Sequence, residues 1–219
     1  MKIATLLPQP RSIIPLAGLL MLAACDSNPG PGYEIHDTKY VAIGEAGEQL
    51  DPSAGSGACV LDQFTGLLWE VKSDRPGLHD KNNTYTWYNP DESHDGELDY
   101  RGTEGGGACS GSACDTWAYV NAVNEVGHCS YSDWRIPSRD ALASISDLRK
   151  IENPPTINMQ YFPNTEPAEY WSGNDYDFQW NAAWLWNFQF GHDRVDWKQS
   201  PKYVRLVRGE AQALPRIED

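Results

Sequence analysis

The chain has 219 residues, with 31 Asp and Glu against 17 Lys and Arg, giving a formal net charge of −14. That length suits one domain plus additions, with a core large enough to be stable alone. A balance this acidic excludes nucleic-acid binding as a main activity, because neutralising phosphates takes clustered Lys and Arg; sulfated polysaccharides and anionic lipid headgroups are disfavoured for the same reason, leaving cations, neutral sugars and basic protein surfaces as partners.

Residues 1–24 read as an export signal. Lys2 and Arg11 give a positive start, and Ser12 to Ala24 is an apolar run too short to span a bilayer comfortably. The run ends in Leu22-Ala23-Ala24-Cys25, which resembles a bacterial lipoprotein lipobox; that resemblance implies cleavage before Cys25 and lipidation of its sulfur. An ordinary secretory signal with a chance cysteine is the alternative. The polar stretch Asp26 to Gly32 favours the lipoprotein, since an anchored domain needs a flexible tether. At about 0.8 kcal/mol per buried methylene, two or three acyl chains give stable membrane attachment. The expected location is therefore the bacterial cell envelope, at the outer membrane or cell surface. Asp26 directs some lipoproteins to the inner membrane instead. Removing the signal takes away Lys2 and Arg11 and no acidic residue, leaving 15 basic and 31 acidic residues and a net charge of −16.

Residues 25–57 read as lipidated cysteine and tether, with a short apolar patch at Tyr40 to Ile43, and residues 58–209 as one domain followed by a tail at 210–219. No solenoid-length repeat is present. Cys59 to Lys72 predicts a strand, a turn over Asp62 to Gly66, and a second strand with Leu68 and Glu70 opposite Leu67, Trp69 and Val71. The irregular stretch Ser73 to Gly107 runs into Cys109. Asp115 is a good N-cap and Gly127 a good stop for a helix whose Tyr119, Val120, Val123 and Val126 recur at core-facing spacing. A second helix is capped by Ser138 with Asp140 in its first turn, and buries Ala141, Leu142, Ile145 and Leu148.

Four strand-like segments follow at Tyr170 to Ser172, Ala183 to Phe190, Val195 to Lys198 and Tyr203 to Arg208, with a hairpin turn expected at Gly191 to Arg194. On the longest, Trp184, Trp186, Phe188 and Phe190 share one face. A sugar platform would use such a face, but core packing is the weightier reading, because four exposed aromatics make a large patch. The fold class is α+β: a mostly antiparallel twisted sheet, two helices and long loops.

With Cys25 lipidated, four cysteines remain, and an even number in an exported chain reads as two disulfides. Of three possible connectivities, Cys109–Cys114 as a local staple with Cys59–Cys129 closing a long loop is favoured. None has the paired spacing of a zinc site. No Gly-x-Ser-x-Gly or His-Glu-x-x-His signature occurs, and His36, His79, His94, His128 and His192 are scattered. Asn174, Asp175 and Asp177, with His192 and Asp193 at the expected turn, form the candidate ligand-binding set. Oxygen ligands of this kind make calcium a candidate, although the spacing is not that of an EF-hand and a solvated acidic loop is the weightier reading.

Seven segments occur in a familiar order: Thr65 to Glu70, Asp115 to Asn124, Cys129 to Leu142, Tyr161 to Thr165, Tyr170 to Asn174, Ala183 to Gly191 and Val204 to Gly209. Together they closely resemble the Lcl C-terminal domain family over nearly everything from Cys59 to Gly209. One departure is Ala141, where the family commonly has an acidic residue that would complete a capping box. The resemblance implies an exported or surface-attached domain, a C-type lectin-like fold, and adhesion, glycan binding or assembly as a homo-oligomer, a trimer; it implies no catalytic residues. Within Cys129 to Leu142, alternation in an extended segment sends Trp134 and Ile136 inward and Asp133 and Arg135 outward, so the stretch reads as a clamp between the two helices. A non-enzymatic, lipid-anchored protein binding a glycan or envelope protein is the leading expectation. An oxidoreductase like the sulfatase-activating enzymes, and a purely structural envelope subunit, are the alternatives.

Overall fold

The computed structural model describes residues 39–95 and 98–210. Cys25, the signal, most of the tether and the tail from residue 211 lie outside the described residues. The chain runs β1 (Tyr40–Ile43), β2 (Cys59–Asp62), β3 (Leu68–Glu70), the short β4 (His94–Asp95) and β5 (Leu98–Asp99), α1 (Thr116–Val126), α2 (Arg139–Ser144), β6 (Glu169–Asp175), β7 (Ala182–Asn187), β8 (His192–Trp197) and β9 (Val207–Arg208). All strand pairs are antiparallel: β1-β2-β3-β9 form one sheet, β6-β7-β8 a second and β4-β5 a ribbon. The class is therefore α+β. Tyr40–Ile43, placed by composition in the tether, instead pairs residue for residue with β2 as an edge strand.

The first sheet is buried on both faces, which is why residues 67–71, through β3, read Leu-Leu-Trp-Glu-Val without a clean polar alternation. Cys59, Leu68 and Leu206 pack with Tyr119 and Val123 of α1, with Trp134 and with Trp171. Val60, Trp69 and Val207 pack on the other side with Leu142 and Ile145. The β2–β3 turn closes because Asp62 Oδ1 accepts from Phe64 N at 3.0 Å, and Gly66 takes a φ of +72°.

Asp115 Oδ1 accepts from Ala118 N at 2.8 Å and starts α1, while Gly127, at φ +74°, stops it by donating to Val123 O. Tyr119 and Val123 are buried as their spacing predicts, but Val126 is exposed, because the last turn runs past the core. Ser138 Oγ caps α2 through Ala141 N at 3.1 Å. That helix ends at Ser144, whose Oγ donates back to Ala141 O at 2.7 Å. Leu148 falls in a separate single turn and is exposed rather than core, since the helical phase is lost between them.

Residues 134–136 join the helices to the sheet. Arg135 and Val207 exchange backbone hydrogen bonds at 2.9 and 3.0 Å, and the Asn124 side chain bonds both N and O of Trp134. Trp134 is buried and Ile136 packs against the same core. Arg135 Nη2 donates to Gly209 O at 2.9 Å, whereas Asp133 takes Arg208 in a two-bond pair at 2.7 and 3.0 Å. The stretch is a structural clamp. Both disulfides have the pairing that the sequence favours, Cys59–Cys129 and Cys109–Cys114.

Three further expectations are corrected. The turn between β7 and β8 lies at residues 188–191, so His192 and Asp193 open β8 instead of forming a loop. Consequently Phe188 and Phe190 leave the strand. Phe188 is buried, Phe190 is exposed, and only Trp184 and Trp186 share the outer face, half-buried under α2. The apolar face of β7 that reaches the first core cluster is that of Ala183 and Leu185. Of Tyr203 to Arg208, only Val207–Arg208 forms a regular strand; Tyr203 makes a single parallel bridge to Tyr170.

Candidate ligand-binding site

The residues singled out by their oxygen chemistry do not converge. Asn174 and Asp175 end β6 rather than lying in a loop. Asn174 Oδ1 accepts from Arg139 N at 2.8 Å, and Asp193 Oδ2 lies 3.3 Å from Arg139 Nη1, so these two meet on the first residue of α2. Asp175 is instead the counter-ion of the buried Lys198, 2.7 Å away, whose Nζ also donates to Trp180 O and sits over the Trp87 ring. Asp177 is exposed in the β6–β7 turn, and His192 stacks on Phe190. A carboxylate already neutralised by a buried ammonium is a poor calcium ligand. Among the described residues, Cys59, His128 and Cys129 are the one close group of three metal-ligating side chains, and both sulfurs are spent in a disulfide.

A different cleft, of about 330 Å³, has the features of a ligand site. Its walls are Trp87, Tyr88, Trp117, Val120 and Ile136, and its polar edge is Asn89, Asp91, Thr116 and Arg135. Apolar walls with a few convergent polar groups are the usual composition of small-molecule pockets. Trp117 stands in the first turn of α1 with 48% of its surface exposed. It is two residues, or about 200° of helical rotation, from Tyr119 and therefore points away from the core stripe. The floor is fixed: Thr116 Oγ1 donates to Tyr88 O at 2.8 Å and accepts from Tyr88 N at 2.9 Å, and Trp87 Nε1 donates to Ser172 O at 2.9 Å. A hydrogen bond to Glu104 raises the pKa of the Tyr88 phenol, so it stays neutral. Sequence reasoning missed this place, yet a Trp on the polar face of an amphipathic helix is a legible signal for it.

A second cluster lies beneath a larger cleft, of about 900 Å³, edged by Glu45, Glu48, Asp74, Lys72, His79 and His128. Glu70, fully buried, accepts from His79 Nδ1 at 2.8 Å, Lys72 Nζ at 3.0 Å, Tyr119 OH and Leu206 N. Burial pushes its pKa up, but Lys72, His79 and Tyr119 outweigh that and hold it well below the ordinary value. The cluster ties β3, the loop at His79 and α1 into one frame, and its charges are spent on one another as scaffold.

This is a disulfide-stapled α+β domain with an aromatic-walled surface cleft. Residues 58–208 match the Lcl C-terminal domain family, and the chain belongs to it. No curated protein and no solved structure matches the chain. Among the described residues, no helix is long and apolar enough to cross a membrane.

Proposed function

We propose that this is a lipid-anchored binding protein of the bacterial envelope, whose Lcl C-terminal domain recognises a glycan at the Trp117 cleft without making or breaking bonds. The observation that carries the reading is the half-exposed Trp117 indole, set beside Asn89, Asp91 and Arg135 on a rigid floor. A pyranose ring offers an aliphatic face to an aromatic wall and a rim of hydroxyls to amide, carboxylate and guanidinium groups. All four cysteines of the domain are joined in disulfides, which supports a binding role over a thiol-dependent oxidoreductase. The anchor rests on Cys25 and the tether behind it.

A glycan array probed with the intact lipoprotein in detergent, with and without calcium, tests the recognition. Binding that is lost in Trp117→Ala supports it. An array silent in both conditions overturns it and favours a structural role in an envelope assembly. Metabolic labelling with a fatty acid, lost in Cys25→Ala, tests the anchor, and envelope fractionation reports which membrane holds it.

A further inference from the structure

Trp117 and Tyr88 line two clefts at once. On one side is the cleft of about 330 Å³ with Asn89, Asp91 and Arg135; on the other is one of about 440 Å³ lined by Glu104, Gly105, Ala113, Asp115 and Ala118. The indole is thus a ridge between two depressions, not the end wall of one. We infer that the ligand is an uncharged linear oligosaccharide that crosses this ridge, with a sugar ring seated in each cleft. The inference rests on the glycan reading above and deepens it to a ligand class.

Three features support a continuous groove. The ridge is held in place, since Tyr88 and Thr116 are reciprocally bonded and Trp117 follows Thr116 in the helix. The second cleft is equally fixed: Asp115 Oδ2 accepts from Gly105 N at 3.0 Å while Oδ1 caps α1, and the Cys109–Cys114 disulfide closes the segment that carries Ala113. Both clefts also offer oxygen acceptors suited to hydroxyls, Asp91 and Asn89 on one side and Glu104 on the other.

Charge selects among linear chains. Asp91 lies in the first cleft and Glu104 and Asp115 in the second; of the nearby cations, Arg135 has its Nη2 bonded to Gly209 O and Arg101, within electrostatic reach of Tyr88 and Glu104, is paired with Asp99. A sulfated or uronate-bearing chain would bring like charges against these carboxylates in both clefts, a repulsive element that discriminates against polyanions. An uncharged or N-acetylated chain meets no such penalty.

The test is titration of the intact lipoprotein in detergent, followed by tryptophan fluorescence and calorimetry. The probes are β-1,4-linked glucose and N-acetylglucosamine oligomers of increasing length from the monosaccharide upward, with a heparin oligosaccharide as the charged comparison. Affinity is expected to rise about tenfold once the oligomer reaches both clefts and then to level off, because the second ring binds as a tethered unit. Ala113→Trp, placed at the exposed edge of the second cleft, should erase that gain, so that long oligomers bind no more tightly than the shortest binder. Ala118→Trp serves as a second block on the helix side. Binding of the monosaccharide with no gain on lengthening overturns the two-cleft inference and leaves glycan recognition standing. Tighter binding of heparin than of the uncharged oligomers overturns the charge argument. No binding of any saccharide overturns both readings together.

Discussion

His79 stacks on His128 with ring centroids 4.1 Å apart, and each ring spends one nitrogen on a fixed partner. His79 Nδ1 donates to the Glu70 carboxylate, and His128 Nε2 donates to Ala58 O at 3.2 Å. A proton on His128 would stand against His79 and Lys72, both of which oppose it.

Burial, and then His79, depress His128 from its ordinary 6.5 to about 4. The folded state therefore binds fewer protons than the unfolded chain between those values, and stability must rise with pH across that window. Stability should be full above about pH 6.5 and fall steadily towards pH 4, by up to about 3 kcal/mol. Glu70 adds to the loss lower down: its stabilising contribution is present above its ordinary 4.5 and disappears as pH falls through its depressed folded value. Urea unfolding at stepped pH checks this. His128→Asn should flatten the slope between pH 6.5 and 4; an unchanged slope would contradict the assignment.

Glu70→Gln leaves the shape of the buried cluster but removes the counter-charge of Lys72, which is itself buried. An uncompensated buried ammonium costs about 3–5 kcal/mol. Chemical denaturation should show a loss of that order, partly restored by a second change, Lys72→Met. A loss under about 1 kcal/mol would mean that the pair is not the buried ion pair described.

The two disulfides should contribute unequally. Their sequence separations are 70 for Cys59–Cys129 and 5 for Cys109–Cys114. In the chain-entropy picture these correspond to about 4 and about 2 kcal/mol. Paired Cys→Ala variants compared by denaturation test the order, and thiol titration of the native protein should find all four sulfurs protected.

Trp117→Ala should separate function from folding. Because the indole is half-exposed and turned away from the core stripe, its removal should shift stability by no more than about 1 kcal/mol. Glycan binding should meanwhile fall by at least about tenfold, since a central aromatic is the kind of anchor whose truncation dominates binding. Trp134→Ala is the opposite control. Trp134 is buried, its Nε1 donates to His128 O, and its loss should cost about 3–5 kcal/mol.

Short-range rules read correctly wherever a few neighbouring residues decide the outcome. Asp115, Ser138 and Gly127 bound their helices because caps are local hydrogen-bond problems. The Asp62 to Gly66 turn formed for the same reason. Periodicity failed at element ends, where Val126 and Leu148 keep the right spacing but have no core left to face. It failed again in β7, whose aromatic run is interrupted by the turn at residue 188.

By itself the sequence determined the two helices with their caps, the even set of cysteines, the acidic surface and, through seven ordered segments, the family. Only the tertiary structure decided that Glu70, His79 and Tyr119 share one buried cluster, that Asp175 belongs to Lys198, and that Trp117 stands between two clefts. The reason is physical. Caps and turns are settled by groups within a few residues of one another, whereas Glu70 and Tyr119 are 49 positions apart and Asp175 and Lys198 23 apart. Contacts at such separations form only when the whole chain packs, and no local pattern encodes which side chains will then be neighbours.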